Sequence, residues 1–138
     1  MIWLHGNTGY GKSGIADAIG KELGDVYNKT TPKWWNRYDG HGTVVWNEFS
    51  GSQVSYRELL QILDRYPYEI ETKGGTRQFL ARTLVITSRQ HPTDCYDSNI
   101  VDEKELMRRI EYCKELTIKI EPDQFTEVAC NIISATSS

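Results

Sequence analysis

Cysteine is sparse in this chain: 138 residues carry three, Cys95, Cys113 and Cys130. An odd number at wide spacing excludes a disulfide framework and does not form a zinc-ligand pattern, so reduced thiols used for packing are expected, in an intracellular protein. Basic charge is not in excess either. Sixteen Lys and Arg stand against nineteen Asp and Glu, a net charge of −3, so no overall cationic field exists and any nucleic-acid contact must come from a local patch. Long apolar runs are missing as well. Nothing approaches the ~18 residues of a membrane span, and the apolar start lacks a basic leader and cleavage site, so no membrane partner is expected. Without repeats, linkers or low-complexity stretches, the length suits one domain that buries about two thirds of its unfolded surface.

Glycine, by contrast, is concentrated near the start. Residues 6–13 read Gly-Asn-Thr-Gly-Tyr-Gly-Lys-Ser, a complete GxxxxGK[ST] phosphate-binding loop, directly behind the apolar run Met1-Ile2-Trp3-Leu4. Strand, glycine-rich turn and helix start in that order aim successive backbone N–H groups at the phosphates of a nucleotide. The expected binding set is Gly6, Asn7, Thr8, Gly9, Tyr10, Gly11, Lys12 and Ser13. Lys12 would reach the β- and γ-phosphates of ATP, and the Ser13 hydroxyl would hold Mg²⁺. A glycine-rich turn that binds nothing is the plain alternative, and four fixed residues in frame argue against it.

Apolar periodicity alternates between strands and helices. Residues 2–4 read as a buried strand, and Ile15, Ala18, Ile19 and Leu23 give a helical period over 12–23 that Gly24 ends. Short strands follow near Val26-Tyr27 and over 43–46. Ser55 caps a helix with Glu58 at its third position, and Leu59, Leu60, Ile62 and Leu63 form its apolar face. Residues 68–72 alternate, break at Lys73-Gly74-Gly75 and return through Arg77-Gln78-Phe79, the outline of a hairpin. A central strand over 83–87, a helix over 102–110, a strand over 116–120 and a polar, Ser-rich end over 134–138 complete the reading. Repeated strands separated by helices predict a parallel sheet covered on both faces.

A phosphate loop of this kind works with a carboxylate at the end of a neighbouring strand. Val44-Val45-Trp46 runs into Asn47-Glu48-Phe49, 35 positions after Lys12, and Glu48 is the expected general base for an attacking water. The plain alternative is a solvated strand-end residue.

Further blocks occur in order: Asn28-Lys29-Thr30-Thr31-Pro32-Lys33-Trp34-Trp35 with Tyr38-Asp39-Gly40, Asp64-Arg65-Tyr66-Pro67, Lys73-Gly74-Gly75-Thr76, Phe79-Leu80-Ala81-Arg82 and Ile86-Thr87-Ser88. With the phosphate loop they resemble, from Met1 to about Ile110, the helicase half of the replication-associated proteins of circoviruses and related single-stranded circular DNA viruses. The resemblance implies a superfamily 3 helicase of the AAA+ type, an α/β P-loop NTPase with a central parallel sheet of about five strands flanked by helices and an inserted β-hairpin. It implies protomers that form a hexameric ring around single-stranded DNA and hydrolyse ATP to translocate and unwind during rolling-circle replication, in the host nucleus. Full-length members carry an upstream nicking domain with a histidine-hydrophobic-histidine motif. Here His5, His41 and His91 are isolated in sequence, so 1–138 is expected to be the ATPase and helicase domain alone, without endonuclease or oligomerisation segments.

The resemblance also assigns roles. Glu48 matches the second acidic residue of the metal and water motif. Lys73, Gly74 and Gly75, with Arg77 nearby, match the hairpin that contacts DNA, where a lysine beside glycines can approach a phosphodiester closely; a plain solvated turn is the alternative. Arg108 and Arg109 match paired arginines, one of which reaches the γ-phosphate of a neighbouring subunit. Trp34, Trp35 and Tyr38 invite base stacking, although paired tryptophans more often cover an apolar edge. Two positions depart from the family: Asn47 stands where a metal-directed Asp is usual, and Arg89 where a polar sensor Asn is usual. Asn47 therefore holds Mg²⁺ less firmly, and Arg89 either contacts the γ-phosphate as a substitute cation or crowds the attacking water. Two functions follow: an ATP-driven motor, preferred because the phosphate loop and Glu48 are intact, or a degenerate module that binds nucleotide and single-stranded DNA with weak or no hydrolysis.

Overall fold

In the computed structural model, which describes residues 1–29, 35–64 and 68–136, the chain runs β1 (Ile2–Gly6), α1 (Lys12–Leu23), β2 (Val26–Lys29), β3 (Thr43–Phe49), α2 (Tyr56–Leu63), β4 (Tyr68–Thr72), β5 (Gly75–Phe79), β6 (Thr83–Ser88), α3 (Glu103–Met107), β7 (Tyr112–Leu116) and α4 (Phe125–Thr136). Five strands form one sheet in the order β2-β3-β6-β1-β7, and every neighbouring pair is parallel. Such a sheet is covered on both faces, which is why Ile2-Trp3-Leu4, Val44-Val45-Trp46 and Leu84-Val85-Ile86 are unbroken apolar runs. Ile2, Leu4, Val45 and Val85 pack with Ile15 and Ile19 of α1 and Ala129 and Ile132 of α4. Trp3, Val44, Trp46, Leu84 and Ile86 face the opposite layer, with Leu59, Ile62 and Leu63 of α2 and Leu106 of α3.

Local signals account for the helix ends. The Gly24 N–H donates to the Gly20 carbonyl at 2.8 Å and stops α1, and the Ser55 hydroxyl accepts from the Glu58 N–H at 3.1 Å to start α2. β4 and β5 form a separate antiparallel hairpin joined by Lys73-Gly74, where Gly74 takes a φ of 91° that a two-residue turn requires. The sheet of five strands and the inserted hairpin are as expected.

Other boundaries differ from the sequence reading. The last strand is Tyr112–Leu116 rather than 116–120; the alternation of Ile118 and Ile120 imitated a strand, but Ile118 is 69% exposed beyond the sheet edge. The Ser-rich end is instead the close of α4, which reaches Thr136 and buries Ala129 and Ile132. Glu121 and Gln124 form a capping box at the turn Pro122–Gln124 just before it, a signal that the polar composition obscured. The helix expected over 102–110 is shorter, Glu103–Met107, with Asp102 as its N-cap.

All three cysteines are free. Cys95 and Cys113 pack half-buried against the core, whereas Cys130 is exposed on α4 and is not a packing residue. Trp35 and Tyr38 are buried in an aromatic cluster with Tyr27, Trp46 and Phe79, the edge-covering role; Trp34 lies outside the described residues. Among the described residues, no helix is long and apolar enough to cross a membrane.

Candidate nucleotide site

Parallel strands place their carboxyl ends together, and β1 lies between β6 and β7, where connections leave the sheet in opposite directions. A cleft of about 940 Å³ opens there. Thr8, Gly9, Gly11, Lys12, Ser13 and Gly14 line one side, with Gly11 capping α1 in the left-handed conformation. Glu48 enters from the end of β3 and Arg89 from the end of β6. Gly6, Asn7 and Tyr10 shape the loop from outside the cleft: the Lys12 ammonium donates to the Gly6 carbonyl at 2.7 Å and the Asn7 carbonyl at 2.9 Å, and the Tyr10 carbonyl accepts from the Ile120 N–H at 3.1 Å. Burial first, then the Arg89 guanidinium, lowers the Lys12 ammonium below the ordinary lysine range, with Glu48 opposing them. The three charges thus act on one another across the cleft.

Glu48 is held in an unusual backbone. Its φ is 59°, and the β3/β6 register shifts between Trp46 and Phe49, so Asn47-Glu48 form a bulge. The Thr87 hydroxyl accepts from the Glu48 N–H at 3.0 Å, and Gln53 donates to the Glu48 carbonyl at 3.2 Å. A bulge beside a cleft re-aims a side chain at the cost of local strain, here turning an exposed carboxylate toward the phosphate loop.

Asn47 is fixed by the same hydroxyl, which donates to its Oδ1 at 3.1 Å, while its Nδ2 faces Asp17 Oδ1 at 3.4 Å. Asp17 lies one turn after Ser13 on α1 and was not picked out from the sequence; the i, i+4 spacing from Ser13 was its only signal. Within the cleft, Ser13 and Glu48 offer a hydroxyl and a carboxylate, hard oxygen donors that suit Mg²⁺ with its waters kept, whereas Asn47 and Asp17 lie outside the cleft lining.

Phe125 is a second residue that sequence reasoning missed. Its ring lies so close over α1 that a Cβ on Gly14 would stand 2.1 Å from Cε2. With Ile120 and Pro122 it forms the apolar wall of the cleft. The signal was Gly14 itself, a glycine inside a first helical turn where nothing in the motif requires one.

Elsewhere the structure separates the expected groups. Lys73, Gly74, Gly75 and Arg77 are exposed on the hairpin, outside the cleft. Arg109 is held within the fold, pairing with Asp64 at 3.5 Å and donating to the Glu105 carbonyl at 2.7 Å, whereas Arg108 is exposed. His5 and His91 are not isolated in space, since their rings meet at 5.2 Å.

This loop-and-strand geometry coincides with a family match: the RNA helicase family description fits residues 2–90, which run from β1 past Arg89. The chain belongs to the superfamily 3 helicases. The helicase domain is 43% identical over 110 residues to the replication-associated protein of goose circovirus, covering 80% of this chain and 36% of that protein. It is 42% identical over 106 residues to that of porcine circovirus 1, covering 76% and 34%. A third relative, the replication-associated protein of Human associated cyclovirus 1, is 35% identical over 113 residues, covering 79% and 40%. The chain therefore spans little more than a third of the length of these relatives.

Proposed function

We propose that this domain is the ATP-hydrolysing motor of a viral replication protein, translocating on single-stranded DNA and unwinding duplex during rolling-circle replication. One observation carries the reading: the phosphate loop, the bulged Glu48 and Arg89 converge on a single cleft. Backbone N–H groups at the start of α1 cradle the triphosphate, and Lys12 exchanges its two carbonyl partners for phosphate oxygens. Ser13 would hold Mg²⁺, with Asn47 as a neutral polar neighbour and Asp17, hydrogen-bonded to it, supplying the negative charge that Asn47 lacks. The ion neutralises charge on the phosphates when bound. Glu48 takes the proton of the attacking water, and Arg89 supplies a cation at the γ-phosphate from the same subunit. In a hexameric ring, the exposed Arg108 is the arginine placed to reach a neighbour's nucleotide. Lys73, with Gly74, Gly75 and Arg77, offers the hairpin tip to DNA phosphates.

Asn47 in place of a carboxylate favours a second reading, a module that binds ATP and DNA without productive turnover. Steady-state ATPase rates with and without single-stranded DNA, at high protein concentration, separate the two. Turnover above a Lys12→Ala control supports the motor; a rate equal to that control overturns it. Asp17→Ala should raise the Mg²⁺ concentration for half-maximal turnover several-fold, because the carboxylate hydrogen-bonded to Asn47 attracts a cation even in water.

A further inference from the structure

Three ligating side chains that the sequence scatters over more than a hundred positions meet beside the phosphate loop. His5 stands one residue before the loop, His91 follows β6, and Cys113 lies on β7, in register with Trp3 of β1. Their ligating atoms all lie within 4.8 Å of one another, and the two imidazoles meet edge to face at 87°. His91 Nδ1 is engaged by Thr93, at 2.8 Å from its hydroxyl and 3.3 Å from its N–H, which leaves Nε2 to the cluster. Among the described residues, neither ring nitrogen of His5 nor the Cys113 thiol has a hydrogen-bond partner. His5 is only 9% exposed, yet its ring nitrogens are not among the buried unsatisfied atoms, so they reach solvent and stay open to an ion.

We propose that His5, His91 and Cys113 hold a Zn²⁺ ion that clips β1, the segment after β6 and β7 together next to the phosphate loop. Two imidazoles and a thiolate are borderline-soft donors, which select zinc over the Mg²⁺ suited to Ser13 and its oxygen neighbours. A tetrahedral zinc site sets ligand atoms about 3.5 Å apart. Contraction to that spacing needs only side-chain rotation of a loop histidine and an edge-strand cysteine. With zinc on Nε2, His91 Nδ1 carries the proton and donates to the Thr93 hydroxyl, giving up the bond it accepts from the Thr93 N–H; such an outer bond orients a zinc-bound imidazole. Glu115, opposite His5 in the β1/β7 register, or a water completes the fourth position.

Anaerobic titration of the folded chain with Co²⁺ tests this, because cobalt reports a thiolate ligand by near-ultraviolet charge transfer and tetrahedral geometry by intense visible bands. Both should saturate near one equivalent and vanish on adding Zn²⁺. Cys113→Ser should abolish the charge-transfer band, and His91→Gln, whose amide oxygen can still accept from the Thr93 N–H, should weaken binding at least ~100-fold, beyond the loss expected for an outer-shell partner. Cys130→Ser should bind as the parent does. Zn²⁺ should raise the Tm of the parent and not that of His91→Gln. A folded parent without the charge-transfer band, or His91→Gln with unchanged affinity, overturns the proposal; should Cys113→Ser fail to fold, the His91→Gln result decides it alone.

Discussion

Glu48 combines a strained backbone with the role of base proposed for it. A left-handed backbone costs a non-glycine residue about 1–2 kcal/mol, and here Thr87 and Gln53 hold it. Glu48→Gln should lower the ATPase kcat at least ~100-fold with the Tm unchanged, since it removes the proposed base and keeps the shape. Glu48→Gly should be equally inactive yet more stable by about 1 kcal/mol in urea denaturation, because glycine adopts this φ freely. Lys29 illustrates a different balance. Burial lowers its ammonium to about 8 from an ordinary 10.5, while Trp35 and Trp46 hold the cation against their faces at 4.3 and 4.8 Å. The unfolded chain keeps this proton up to about pH 10.5 and the folded chain releases it near 8, so the unfolded state binds more protons in between and stability rises with pH across that window. The rise amounts to no more than about 3 kcal/mol. Denaturation at about pH 7.5 and about pH 9.5 should show a parent slope that Lys29→Met loses.

Among elements, α1 and α4 depend on each other through Gly14 and Phe125. Gly14→Ala should destabilise the domain by about 1–3 kcal/mol, the range for overpacking, and weaken nucleotide binding because the displaced ring is part of the cleft wall. In a Phe125→Ala background the same substitution should cost far less, and a double-mutant cycle in chemical denaturation measures that coupling. Elements also show where the sequence was legible. α1, α2 and the hairpin carry their own punctuation in Gly24, Ser55 with Glu58, and Lys73-Gly74, and they stand where the sequence put them. β7 and α4 were harder to read: one is an edge strand with a half-polar face, and the capping box before the other sits on a short turn, ahead of a helix that buries Ala129 and Ile132. The phosphate loop and Glu48 were readable because motif chemistry is contiguous. Asp17, Phe125 and the His5–His91–Cys113 group were not, because long-range packing brings them together.

At the scale of the whole domain, the two neighbouring arginines differ in setting: Arg109 is held within the fold and Arg108 is exposed, the one proposed to reach a neighbouring subunit. Arg109→Ala should lower stability by about 1–3 kcal/mol, because it breaks a sheltered pair with Asp64. Arg108→Ala should leave the Tm unchanged and instead remove any rise of specific ATPase activity with protein concentration, the signature of a site completed by a neighbour. Measuring both variants by thermal melting and by ATPase dilution series distinguishes the two roles. The Phe125 wall has a longer reach. The family-matched stretch ends at residue 90, yet Ile120 and Phe125 close the cleft from beyond it, so a substitution at either position reshapes the cleft while every family-matched residue stays as it is.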